Sequence, residues 1–148
     1  MKKIIIALSL FVCAVSHSQM KVSETEKLNL VGEYKLLGKS YAKIQSKDSL
    51  YIFTYRDEKF TTVDNYKSFV FRGSDKDALL NMFINFEGIE KGTEKTVDLE
   101  DGDKLFFTYK KTLGKMYAEV IHLSKSGVAG AIRWLTEKQA KNVFGKNK

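Results

Sequence analysis

Lys67–Gly88, KSFVFRGSDKDALLNMFINFEG, decides how this chain folds. It opens as a strand. Phe69 and Phe71 share one face and Val70 takes the other, because side chains alternate along extended backbone. Gly73 breaks the alternation. Ser74 is then placed to cap a helix, its hydroxyl accepting from an otherwise unpaired first-turn N–H. Asp77, three residues on, makes a variant of the capping box. Asp75 and Asp77 also sit against the positive end of the helix dipole. Leu79, Leu80, Phe83, Ile84 and Phe86 recur at three-to-four spacing, which predicts a helix over 75–86 with one broad apolar stripe. Gly88 is placed to end it. No glycine-rich phosphate loop precedes the helix, so it reads as a core element, and no cofactor is expected.

The flanking sequence supplies strands for that helix to cover. Leu50–Arg56 alternates Tyr51, Phe53 and Tyr55 against Ile52 and Thr54. Tyr34–Leu37 and Tyr41–Gln45 lie either side of Gly38 and predict an earlier pair. Lys59–Val63 is expected to return from a turn at Asp57-Glu58 as the hairpin partner of 50–56. Downstream, 95–99, 104–110, 116–123 and 128–135 read as strands, with Asp101-Gly102 a hairpin turn. Thr136 caps a last helix over 137–144, Gln139 completes its capping box, and Gly145 ends it. This order predicts an α+β fold, a mostly antiparallel sheet of about seven to nine strands with two helices.

Ser74-Asp75-Lys76-Asp77-Ala78 aligns with Thr136-Glu137-Lys138-Gln139-Ala140. Shared capping chemistry produces such a match by itself; an internal duplication is the other explanation. Gly32-Glu33-Tyr34 is similar to the Gly-x-Trp opening of lipocalin-like barrels, with Tyr in place of Trp. That resemblance implies, as the alternative architecture, a closed β-barrel carrying an apolar ligand.

The first residues read as an address. Lys2 and Lys3 precede an apolar run over 4–15 that is short for a membrane span. Ser16 and Ser18 are the small residues that place cleavage before Gln19. Residues 1–18 are thus expected to be an export signal and 19–148 a single periplasmic or secreted domain, with no transmembrane span after cleavage. Cys13 is the only cysteine. Lipid attachment there is disfavoured, because Val12 is larger than the small residue such a site needs. The exported domain therefore carries no disulfide and no thiol chemistry.

Charge is uneven. Residues 19–103 hold 13 basic and 16 acidic side chains, whereas 104–148 hold 10 basic residues and only Glu119 and Glu137. Such a basic segment suits an anionic partner, with Lys110, Lys111, Lys138 and Lys141 as the candidate contacts. Lysines on outward strand positions also serve as edge protection. The partner is expected to be an envelope polysaccharide, an anionic lipid or an envelope protein. Nucleic acid is the weakest candidate, since no recognised binding motif is present.

Other chemistry is sparse. His122, between Ile121 and Leu123, has no second histidine after the signal to share a metal. Asp98, Glu100, Asp101 and Asp103 form the densest acidic cluster, but their spacing departs from the EF-hand loop and fits a solvated hairpin tip. No metal is expected. Tyr51, Phe53 and Tyr55 form an aromatic row that serves either as core or as a stacking platform for a ligand. The leading expectation is a non-enzymatic binding module. The alternatives are an Asp/Glu-dependent hydrolase acting on carbohydrate or lipid, and an apolar-ligand barrel.

Overall fold

The computed structural model of the protein describes residues 27–146. The expected export signal and Cys13 lie outside the described residues. The fold is α+β with eight strands and two helices. Strands β1 (Asn29–Leu36), β2 (Lys39–Lys47), β3 (Leu50–Arg56) and β4 (Tyr66–Arg72) form one antiparallel meander. Helix α1 (Lys76–Ile84) follows. Strands β5 (Glu94–Asp98), β6 (Lys104–Thr112), β7 (Lys115–Leu123) and β8 (Ala129–Ile132) form a second antiparallel meander. Helix α2 (Glu137–Val143) ends the fold. Among the described residues there are two four-stranded sheets rather than one large one, and they form no closed barrel.

The helices are exchanged. α1 follows the first sheet but packs on β7 of the second, while α2 follows the second sheet and packs on β1 and β2 of the first. Phe83 of α1 and Phe144 after α2 meet with ring centroids 6.0 Å apart. Phe83 also stacks 6.1 Å from Phe53 of β3 and sits edge-on, at 5.2 Å, to Phe107 of β6. The alternating aromatics of both sheets thus share one core: Phe53, Tyr55, Phe69, Leu105, Phe107 and Tyr109 are all buried. Gly32 permits the α2 contact. A Cβ there would lie 1.9 Å from the Asn142 carbonyl oxygen, so only glycine lets the end of α2 approach β1 so closely.

Local chemistry departs from expectation at four points. α1 is entered through a 3₁₀ turn, Gly73–Asp75, and its N-cap is Asp75 with helical backbone and no side-chain cap. Ser74 instead donates to Asp75 Oδ1, because a 3₁₀ entry never gives it the extended backbone that a capping hydroxyl needs. α1 ends at Ile84 with Asn85 extended, so Gly88 turns the following loop, and Phe86 leaves the helix to meet Tyr109 edge-on at 6.1 Å. Lys59–Val63 is not a strand; β4 is the hairpin partner of β3. The Asp57 N–H makes a last bond to the Asn65 carbonyl at 2.8 Å; beyond it the chain turns to β8, where the Ala131 N–H donates to the Asp57 carboxylate and the Glu58 N–H to the Ala131 carbonyl. α2, by contrast, has the expected capping box between Thr136 and Gln139.

Two hairpins share a local sequence: Lys35-Leu36-Leu37-Gly38-Lys39-Ser40-Tyr41-Ala42 in β1–β2 and Lys111-Thr112-Leu113-Gly114-Lys115-Met116-Tyr117-Ala118 in β6–β7. This likeness is out of phase by one strand with the likeness of the helix starts, since the first hairpin opens its sheet and the second lies inside its own.

Phe83→Ala is expected to destabilise the protein by about 3–5 kcal/mol, the range for truncating a buried Phe. Tyr51→Ala, at a half-exposed position on β3, should have a smaller effect. Urea unfolding followed by far-UV circular dichroism measures both.

Candidate functional site

The two sheets are joined where β3 ends. Asp57 forms an antiparallel bridge with Ile132, and the Glu58 N–H donates to the Ala131 carbonyl at 3.0 Å. β8 lies directly over Tyr55: a Cβ on Gly130 would fall 2.3 Å from the Tyr55 hydroxyl. That hydroxyl is 2.8 Å from His122 Nδ1, and His122 Nε2 is 2.7 Å from Asp103 Oδ2. The Lys125 N–H donates to the other Asp103 oxygen at 2.7 Å. With Asp103 ionised, Nε2 carries the shared proton, and in the neutral ring Nδ1 accepts from Tyr55.

Beside this chain lies a second buried carboxylate. Asp57 Oδ1 accepts from the Ala131 and Lys59 N–H groups at 2.9 and 3.1 Å, and its Oδ2 is 2.6 Å from Lys67 Nζ. Lys67 also donates to the Ala129 carbonyl at 2.6 Å. Burial pushes the Asp57 carboxyl up, but the two backbone bonds and the Lys67 ammonium outweigh it and hold the group below the usual carboxylate range. Asp103 behaves alike: burial raises it, and the bonds from His122 and the Lys125 N–H bring it below the ordinary value. Burial, followed by the charges of Asp57 and Asp103, pushes the Tyr55 phenol well above its ordinary value. The arrangement has the form of an acid–base relay, yet Tyr55 is 0 % and His122 2 % exposed. Tyr55 and His122 are thus closed to solvent. They hold the two sheets together.

The accessible concavity is elsewhere. A groove of about 580 Å³ lies between β4, α1 and β5. Among the described residues, β4 is bonded only to β3 and β5 only to β6, so both walls are sheet edges. Val70, Leu79, Met82, Val97 and Leu99 give it an apolar lining, and Ala78 faces it from the exposed side of α1. Asp75, Asp98, Glu100 and Asp101 stand at the same groove with a single cation, Arg72. Arg72 Nε is paired with Glu100 at 2.5 Å and Lys104 with Asp98 at 2.7 Å.

The residues singled out in the sequence are dispersed. Lys110 is paired with Glu119 on β6–β7 and Lys141 with Glu137 on α2. Lys111 follows Lys110 on β6 and so takes the opposite face, and Lys138 lies on α2. In the aromatic row, Phe53 and Tyr55 are buried and present no ring face to a ligand, because they pack into the shared core. Tyr51 is half-buried, stacked on Phe71 at 5.6 Å with Lys76 Nζ 5.5 Å from its ring centre. The acidic cluster separates into different partnerships. Asp98 and Glu100 take the cations just named, Asp101 Oδ1 accepts from the Asp103 N–H, and Asp103 turns inward to His122. Among the described residues no group of three or more His, Cys, Asp or Glu side chains is arranged to hold a metal ion.

The relay had one sequence signal: His122 falls in period two with Ala118 and Val120 on the inner face of β7. A histidine at a core position needs polar partners. Its partners are 67 and 19 residues away and follow only from the topology.

With fold and site defined, the protein's class is that of an α+β domain of two antiparallel meanders with exchanged helices. Comparison with family models, curated proteins and solved structures finds no match to the chain.

Both buried carboxyls have folded pKa values below their unfolded ones. Their stabilisation is therefore complete above the unfolded value of about 3.9 and is lost as pH falls through the depressed folded values. Asp103→Asn weakens the acceptor that takes the His122 and Lys125 N–H groups and is expected to cost about 1.5–3 kcal/mol, the range for hydrogen bonds to a charged group. It should also make the acid limb of stability shallower. Urea midpoints across an acid pH series test this; an acid limb as steep as the parent's would remove Asp103 from the account.

Proposed function

We propose that the chain is an exported, non-enzymatic module that binds another envelope component, and that the groove receives an extended segment of that partner's polypeptide. The observation that carries this reading is a groove with an apolar lining set between two unpaired sheet edges. Open edges offer N–H and C=O groups to an added strand, and the apolar lining takes its alternate side chains. Four carboxylates against Arg72 and the Lys104 that pairs with Asp98 leave an acidic excess, which favours a segment that carries Lys or Arg beside its apolar residues. The burial of the Tyr55–His122–Asp103 chain supports a binding role over a catalytic one. The hydrolase alternative calls for two carboxylates free to act in a cleft, whereas Asp98 and Glu100 are each held by a cation.

A peptide alternating lysine and valine, titrated calorimetrically, is expected to bind. Ala78→Phe fills the groove from an exposed helix position and should weaken binding by about tenfold or more, a change of roughly 1.4 kcal/mol. A glutamate–valine peptide should bind still more weakly. Equal binding by parent and Ala78→Phe, or by the two peptides, would overturn the groove assignment. Separately, the N-terminus of protein recovered from the exported fraction is expected to be Gln19.

A further inference from the structure

We propose that the end of the molecule where the two sheets join docks on an anionic lipid bilayer, with Leu37 and Leu113 as twin insertion points. This does not depend on what the groove binds.

The two leucines occupy the same place in the repeated hairpins, each followed by glycine at a two-residue turn. Both have positive φ, 50° and 49°, and both are almost wholly exposed, at 95 % and 97 %. A bulky side chain disfavours this backbone region, and asparagine or aspartate is the usual occupant ahead of glycine in such a turn. Leucine here is unfavourable twice over, in backbone conformation and in apolar exposure, and the same choice is made at both tips. A local rule broken in the same way at two related positions points to a surface role.

The tips border a common region. The β1–β2 turn lies at the end of the first sheet where β3 finishes, and the β6–β7 turn lies at the end of the second where β8 finishes. Those two ends are the ones bridged by Asp57 and Ile132. The residues after β8 then tie both hairpins down. The Arg133 guanidinium lies 5.0 Å from the ring centre of Tyr41, and Trp134 packs 5.8 Å from Tyr117. Tyr41 and Tyr117 are equivalent residues of the repeat, each four positions beyond its leucine. Trp134 is half-exposed, and Phe60, Val63 and Tyr66, in and next to the loop that leaves Asp57, are exposed as well.

The chemistry fits a lipid surface. Lys35 and Lys39 flank Leu37, and Lys111 and Lys115 flank Leu113. Glu33 and Asp64 pair with the first two, so four ammonium groups stand against two carboxylates. Leucine on a projecting turn needs a matching pocket in a rigid partner, whereas a bilayer admits it anywhere. Tryptophan and tyrosine at the base of the tips suit the headgroup level, and the lysines suit lipid phosphate. The contact proposed is peripheral, made by side chains of two turns; among the described residues no helix is long and apolar enough to cross a membrane.

Trp134 is the only tryptophan in the chain and reports on this surface directly. The full chain is mixed with vesicles of brominated phosphatidylcholine, with or without phosphatidylglycerol. Bromine quenching of Trp134 and a blue shift of its emission are expected only with phosphatidylglycerol, and high salt should reverse them. Leu37→Asn and Leu113→Asn should each reduce the lipid-dependent signal by about tenfold in partition, and together abolish it. Both substitutions suit the turn, so the melting temperature should hold or rise, which separates lost docking from lost folding. Because quenching is read at Trp134, attachment through residues 1–18 does not imitate it. An unquenched Trp134 in vesicle-bound protein, an absence of binding, equal quenching on neutral vesicles, or a double variant quenched like the parent would each overturn the proposal.

Discussion

The fold depends on Phe83 and Phe144 reaching one core from opposite halves of the chain. Each four-stranded meander has one apolar face, and the helix that directly follows it packs most closely on the other sheet, although Phe83 of α1 also reaches Phe53 of β3. α1 closes on the second sheet and α2 on the first, so each half completes the other. The chain has no proline, and its single cysteine can form no disulfide within it, so neither restricts its unfolded state. Burial of the stacked rings around Phe53, Phe83, Phe107 and Phe144 must therefore supply most of the stabilisation.

The polar joint settles how the two sheets meet. Burying Asp57, Lys67, Asp103 and His122 is unfavourable unless every charge and donor finds a partner. They do so only with β8 lying over Tyr55, which Gly130 permits, and with Lys125 and Ala131 presenting their N–H groups to the two carboxylates. Apolar packing tolerates sliding, whereas bonds of 2.7–2.9 Å to fixed backbone donors do not. The joint thus sets the orientation of the sheets and fixes the base from which both Leu-Gly hairpins project. A joint beneath two exposed tips, with the groove elsewhere on the molecule, keeps the proposed lipid-docking surface apart from the proposed partner groove.

Much of this architecture was legible in the residues themselves. The alternation in Leu50–Arg56 matches β3 residue for residue, and the Thr136–Gln139 capping box marks the start of α2. Those signals are local: they depend on side-chain period and on backbone groups within one turn. Ser74 misled for an equally local reason, since a 3₁₀ entry and a direct N-cap share the same residue types. Lys59–Val63 misled because β-prone residue types after a turn cannot show that Asp57 is bound across the molecule. The groove left no mark in the sequence, because its walls are strand edges from two sheets brought together by a helix. The repeated K-x-L-G-K-x-Y-A segment was present to be read, yet its meaning required the positive φ and near-complete exposure of both leucines.

The sequence by itself determined the class of fold, the strand and helix periods and an excess of positive charge after residue 103, because these follow from residue type and spacing along the chain. Only the tertiary structure decided that the strands divide into two sheets with exchanged helices, that His122 lies between Tyr55 and Asp103, and that the two leucine tips flank one joint. Each of these rests on contacts between residues far apart in sequence, and such contacts are chosen by which apolar faces and buried charges satisfy one another in three dimensions.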